Sequence, residues 1–289
     1  MVTQNSELRT QNPELRTQNS EPRTQNSEPR TQNPELRTQN SELITKKMVI
    51  DHKHKFIFVE LPLTATSAIS KEIREQYGCE PFLNKHATYD DYLRKANAEE
   101  KKYRSIGSVR NPLDQTVSMY FKYKNDLDER FSSGRKRPGK WLRKSLAKNR
   151  DQERYNFIIQ NNASFETYFL KFFKWPYSNW SILHHKKMDH IIRFEHLVAD
   201  YRKVFTELGL PITRDLPQAN KTPEKKSDFW SYYETDKAKR RAKFVFGPFM
   251  RYWGYSFPEN WSHINEPAHA QFLYDLLNIP RKLYWKFLR

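Results

Sequence analysis

Seven consecutive residues, Leu61-Pro62-Leu63-Thr64-Ala65-Thr66-Ser67, join an aromatic and β-branched run to a stretch with helical apolar spacing. A loop in that position offers unpaired backbone N–H groups and the positive end of a helix dipole to an anion. Small side chains at 64–67 let phosphate or sulfate oxygens approach, and the hydroxyls of Thr64, Thr66 and Ser67 add donors. The same hydroxyls also suit plain helix capping, through Thr66 or Ser67. Farther along, Arg110 ends a second apolar run, and Ser118 follows two helical turns later. A planar guanidinium fork suits a phosphate, and it suits a carboxylate equally well. His86 lies between the two blocks, and an imidazole takes up protons near neutral pH. Its plainer role is that of a surface or capping histidine. Glu60, beside the loop, is a second candidate base. Two anion grips and a proton acceptor are what group transfer from an anionic donor requires, most of the catalysis coming from positioning and charge neutralisation. The chain holds no GxxxxGK[ST] loop.

The elements that must carry these residues read as alternating strands and helices. Residues 55–60 (KFIFVE) read as a buried strand, and 67–77 as a helix with Ala68, Ile69, Ile73 and Tyr77 at helical spacing. Residues 103–109 form a second expected strand, and Pro112 suits the first position of a helix over 112–124. A third strand is expected over 189–194, then a helix over about 195–208 ended by Gly209. Further helices are expected over 235–245, before Gly247-Pro248, and over 267–277. This order predicts an α/β fold with a three-layer parallel sheet.

The first 44 residues are of another kind. Residues 3–44 are six near-identical heptapeptides of the TQNSELR type, four of them carrying Pro. Each has at most one apolar residue, too few for a coiled-coil seam, so residues 1–47 are expected to be disordered low-complexity repeats. Met48 is an alternative translation start. The domain plan is then 1–47 repeats, 48–265 the main domain, and 266–289 a C-terminal aromatic and basic helix.

The net charge is +17, and the repeats contribute 5 Arg against 6 Glu. The rest holds 46 Lys and Arg against 28 Asp and Glu, a net +18, so an anionic partner is expected. Residues 130–154 alone hold ten Lys and Arg and read either as a solvated loop or as the mouth for an anionic acceptor. One cysteine, Cys79, permits no intrachain disulfide, and neither a secretory leader nor an apolar spanning run is visible, so a cytoplasmic setting is expected.

FVELPLTATSAI at 58–69 and VRNPLDQTVSMY at 109–120 resemble the PAPS-dependent carbohydrate sulfotransferases of the second sulfotransferase family, PAPS being 3′-phosphoadenosine 5′-phosphosulfate. KHATYDDY at 85–92, RFEHLVADYRKVFTELGLP at 193–211, NKTPEKK at 220–226 and RYWGYSFPENW at 251–261 extend the resemblance in family order. The resemblance implies a P-loop NTPase-like sulfotransferase fold with PAPS as co-substrate. It implies Leu63, Thr64, Ala65, Thr66 and Ser67 around the 5′-phosphosulfate, and Arg110 with Ser118 on the 3′-phosphate. His86 becomes the candidate general base. The implied reaction is sulfuryl transfer to a hydroxyl of a polysaccharide or glycolipid.

Two positions depart from the family pattern. The loop lysine is Leu63 here, and a second arginine of the VRNP block is Gln115. Lys53, Lys55 or the basic segment 130–154 can replace the lost charge; otherwise the chain is a catalytically impaired nucleotide- or glycan-binding protein. Glu195 is expected to pair with Arg193 or cap its helix. No metal is expected, since Cys79 stands alone and His184-His185 lack helical ligand spacing. No nucleic-acid-binding signature accompanies the basic charge, so nucleic acid is not expected as a partner. The tail 271–289 mixes aromatic and basic residues and reads either as a helix packed on the main domain or as a peripheral membrane contact.

Overall fold

Met48, Val49 and Ile50 precede a short turn and the apolar run at 56–59, and the two segments pair as an antiparallel hairpin of β1 (Lys47–Asp51) and β2 (Phe56–Val59). The computed structural model describes residues 47–126, 129–133, 141–214, 216 and 224–288. The heptapeptide repeats, much of the basic segment 130–154 and the first part of the 220–226 block lie outside the described residues. Asp51 holds the hairpin turn by accepting from the backbone N–H and the Nδ1 of His54, both at 2.8 Å.

From β2 the chain passes the seven-residue loop into α1 (Thr66–Tyr77), then β3 (Glu80–Asn84), α2 (Tyr89–Lys95), β4 (Arg104–Val109) and α3 (Pro112–Lys124). Next come α4 (Trp141–Gln160), α5 (Phe165–Phe172), the short α6 (Ser181–His184), β5 (His190–Arg193) and α7 (Leu197–Glu207). Two long helices, α8 (Asp236–Trp253) and α9 (His269–Leu283), complete the order. The sheet runs β3-β1-β2-β4-β5. β2, β4 and β5 are parallel, with Phe58 opposite Ile106 and Ile106 opposite His190, whereas β1 is antiparallel to both β2 and β3.

The sheet is therefore mixed, which corrects the all-parallel expectation. A hairpin turn is too short for a parallel crossover, so β1 must run against β2. The parallel part is buried on both faces. Phe56, Phe58 and Ile106 pack with Ile69 and Ile73 of α1 and with Val204 and Phe205 of α7. Ile57 and Val59 face the other way, with Met48, Tyr92, Trp180 and Met188. That double burial is why β2 is apolar at every position. Beyond α3, a third apolar group gathers Tyr120, Phe165, Tyr168, Phe169 and Phe246 from α3, α5 and α8.

Several boundaries follow local chemistry. Asn111 caps α3 by accepting from the Leu113 N–H at 3.0 Å, with Pro112 in the first turn, as the sequence predicts. Gly209, at φ +70°, follows α7 and donates to the Thr206 carbonyl. α8 runs through Gly247-Pro248, where the sequence predicts its end, and stops at Gly254. Residues 245–250 are all buried, and that burial offsets the hydrogen bond lost at the proline. A Cβ on Gly247 would lie 2.4 Å from Glu266 Oε2, so a larger residue there would displace the end of the Glu266 side chain.

Gly107 of β4 sits under the buried ring of His185, where an added Cβ would come within 2.9 Å of the imidazole and 2.7 Å of Met188 Sδ. Burial pushes the His185 imidazole down to about 3, with the neighbouring His184 adding to it. The folded ring stays neutral where the unfolded one, near 6.5, takes a proton. Unfolded chains thus bind more protons between these values, so stability falls as pH drops from 6.5 toward 3, at up to about 1.4 kcal/mol per pH unit. Denaturant titrations at stepped pH should show this slope, and His185→Leu should flatten it.

Candidate anion-binding site

The carboxyl ends of β2 and β4 lie side by side because the strands are parallel neighbours, with Val59 opposite Gly107. This is the edge where α/β sheets hold ligands. The loop after β2 turns through left-handed backbone at Leu63 (φ +69°) and Ala65 (φ +60°) without a glycine at either position. Thr64, fully buried, offsets that strain from inside. Its hydroxyl donates to the Leu61 carbonyl at 2.7 Å, which leaves Ser108 as the donor in the 2.6 Å bond between Thr64 and Ser108. The buried Thr66 hydroxyl leans on the same carbonyl at 3.4 Å. Neither Thr66 nor Ser67 caps α1, because Ala65 occupies the capping position and no side chain among the described residues caps it.

Arg110 closes the opposite side. Its Nη1 donates to the Leu63 carbonyl at 3.0 Å, its Nη2 to Ser118 Oγ at 2.7 Å, and its Nε to Asp114 at 2.8 Å. The guanidinium lies 3.7 Å over the Phe194 ring. Arg110 and Ser118, two turns apart in sequence, therefore meet. The carboxylate partner weighed for Arg110 is present as well, and Asp114 is shared with Lys225. Lys122, one turn beyond Ser118, is half-buried. Burial pushes its ammonium down, and then Arg130 and Arg110 do. Arg110 and Lys225 meet on the single carboxylate of Asp114, Ser118 bonds to Arg110, and Lys122 feels the charge of Arg110.

A second cation at the loop, beside Arg110, is one the sequence did not single out. Lys85, just past β3, donates to Ser67 Oγ at 2.9 Å and lies 3.7 Å from Glu60 Oε2. Lys53 and Lys55 do not serve. The hairpin sets them at the amino end of β2, away from the loop, and Lys55 pairs with Glu99 at 3.2 Å. Of the basic segment, Arg154 lies over the rings of Phe172 and Phe173, and Arg150 pairs with Asp151. Only the pairing of β3 with β1 brings residue 85 beside α1, and β3 (EPFLN) is too polar and short to stand out in the sequence.

Glu60 is fully buried, and neither carboxylate oxygen finds a hydrogen-bond partner among the described residues. Burial pushes its carboxyl above the usual range, while Ser70, Lys85 and Arg74 pull the other way. His86 reaches the same spot. At φ +66°, its Nδ1 lies 2.9 Å from the Glu60 carbonyl. A carbonyl can only accept, so Nδ1 carries a proton, and the neutral ring has its lone pair on Nε2. Gln115 accepts from the Tyr177 hydroxyl at 3.4 Å. Glu195, expected to pair with Arg193 or cap its helix, instead accepts from the Asn111 N–H and the Tyr255 hydroxyl. No group of three potential metal ligands exists among the described residues. Comparison with protein-family models, curated proteins and solved structures returned no match.

Sulfate or phosphate, matched in ionic strength to chloride, is expected to raise the melting temperature of the full chain. At about a hundred times its dissociation constant, an ion bound only by the folded state adds about 2.7 kcal/mol. Lys85→Met and Arg110→Met should each shrink that rise. An equal rise in both variants would put the ion elsewhere on this basic surface.

Proposed function

We propose that this protein transfers a sulfuryl group from PAPS to a carbohydrate hydroxyl, on a P-loop-like sulfotransferase fold. The observation that carries the reading is the junction of Arg110, Ser118 and the Leu63 carbonyl. It joins a strand-end arginine, a helix hydroxyl and a helix-capping loop at one sheet edge. A donor with phosphate on both sides of its ribose needs two such grips, and their alignment matches the motif order at 58–69 and 109–120.

On this reading Arg110, Ser118 and Lys122 hold the 3′-phosphate, and the loop 63–67 with Lys85 holds the 5′-phosphosulfate. His86 Nε2 takes the proton of the acceptor hydroxyl as its oxygen bonds to sulfur. The bond from sulfur to the bridging oxygen breaks, and the electron pair stays on the 5′-phosphate of adenosine 3′,5′-bisphosphate. Lys85 offsets the charge that grows on that oxygen, the task a lysine at 63 would have.

The apolar Leu63 favours a second reading, in which the protein binds the nucleotide without turnover. Transfer from labelled PAPS to a panel of polysaccharides and glycolipids separates the two. A large gain of activity in Leu63→Lys supports binding alone, and a loss supports a working site built around leucine.

Calorimetry with adenosine 3′,5′-bisphosphate and with AMP tests the grips themselves. The bisphosphate should bind more tightly, and Arg110→Ala should erase that preference, a loss of about tenfold or more in affinity for a charged hydrogen bond. Lys85→Met should lower kcat by about 10²-fold and should also weaken the bisphosphate, through its 5′-phosphate, by a much smaller factor. Failure of the folded protein to bind the bisphosphate would end the enzyme assignment.

A further inference from the structure

α9 carries a row of large apolar side chains that nothing among the described residues covers. Phe272, Leu276, Ile279 and Leu283 recur every three or four residues, the spacing that aligns them along one side of a helix, and Phe287 follows in the π-helical turn Tyr284–Leu288. Each is 49–68% exposed. The opposite side of the same helix is buried at Ala270, Tyr274 and Asn278, where Tyr274 packs with Ile182, Phe249 and Trp253. The row therefore points directly away from the body. An apolar cleft of about 460 Å³ opens beside it, bounded by Phe272, Ile279, Ile182 and Tyr252, and widens the apolar surface. Isolated exposed apolar residues such as Trp175 are ordinary on a protein surface, but a contiguous row is a contact surface.

The charge around the row selects the partner. Lys282 and Lys286 are exposed on the flank of the stripe, and Arg281 is half-buried nearby. Asp275 is the sole carboxylate in residues 269–288. A second copy seated on this face would press these lysines against their like on a chain already at +17. An anionic lipid surface meets both features, taking the apolar row among its acyl chains and the lysines among its headgroups. No helix among the described residues is long and apolar enough to cross a membrane, and the 15 residues of α9 are too short to do so.

We propose that α9 is an interfacial helix that docks this protein on an anionic membrane, its Phe272–Phe287 stripe inserted and Lys282 and Lys286 at the headgroups. The inference stands apart from the sulfuryl-transfer reading, since the cleft and stripe share no residue with the loop and Arg110.

Flotation of the full chain tests it, with vesicles of phosphatidylcholine alone and with about 30% phosphatidylserine. The protein should float with the anionic vesicles only, and less of it as salt rises from about 0.1 to about 0.5 M. Phe272→Glu with Ile279→Glu should lower binding by at least about tenfold, and Lys282→Glu with Lys286→Glu by a similar factor. Both pairs are exposed, so melting temperatures should stay near that of the parent. Absence of flotation, or flotation that survives the Phe272→Glu and Ile279→Glu pair, overturns the proposal. So does a dimer in sedimentation equilibrium that the same pair dissociates, which would assign the stripe to a second copy.

Discussion

One guanidinium, that of Arg110, ties together the three segments that leave the parallel strands at the carboxyl edge. It reaches back to the loop after β2 through the Leu63 carbonyl and along α3 to Asp114 and Ser118. It lies flat on Phe194, which follows β5. A cation only 8% exposed persists because every side of it meets an acceptor or an aromatic face. Removing one partner of such a buried pair costs about 3–5 kcal/mol, much more than an exposed pair contributes. The strain in the loop, at Leu63 and Ala65, adds about 1–3 kcal/mol per residue, and it is held by Thr64, Ser108 and this same arginine.

These partners occupy all three nitrogens of the guanidinium. Asp114 Oδ2 lies 2.8 Å from Nη2 as well as from Nε, Leu63 takes Nη1 and Ser118 takes Nη2, so an anion would reach Arg110 only by displacing one of them. Asp114 keeps the fork oriented while Lys225 shares its charge, so the carboxylate does not cancel the local positive potential. A half-buried Lys122, whose ammonium is disfavoured by burial and by Arg130 and Arg110, becomes easier to keep charged once an anion arrives. Pairing with Asp114 is the role the structure displays for Arg110, and the sequence alone could not separate it from a grip on an anion.

What the sequence made legible follows strong local signals. α3 begins where an Asn-Pro pair puts a cap and a fixed φ, and β2 is apolar throughout because helices cover both faces. The encounter of Arg110 with Ser118 follows from the strand end that holds Arg110 just before the Asn111 cap and from the pitch of α3. Short, polar edge strands carried no such signal. β1 and β3 were invisible, and with them the antiparallel half of the sheet and the placement of Lys85. α8 outran its expected end because Gly247-Pro248 is read locally as a breaker, whereas burial of its surroundings is a tertiary fact. α4, within the basic segment, was hidden by charge. Its Ile158 is a core residue packed near Phe165 and Tyr168, and only contacts distant in sequence define that face.

The charge at the loop is a question of position in space and not of position in the chain. A lysine at 63 would put its ammonium over the first turn of α1 from within the loop. Lys85 reaches that turn from the end of β3 and touches Ser67. What the ammonium can do there depends on Glu60, 3.7 Å away and wholly buried. An ionised Glu60 would neutralise Lys85 in place. Burial raises the Glu60 carboxyl above its usual range while Ser70, Lys85 and Arg74 pull it down, so its ionisation and the charge on Lys85 are coupled. An arriving anion competes for the same lysine and so weakens one of the attractions, beside those of Ser70 and Arg74, that favour ionised Glu60. The buried acid and the cation displaced from position 63 thus form one electrostatic pair at the first turn of α1.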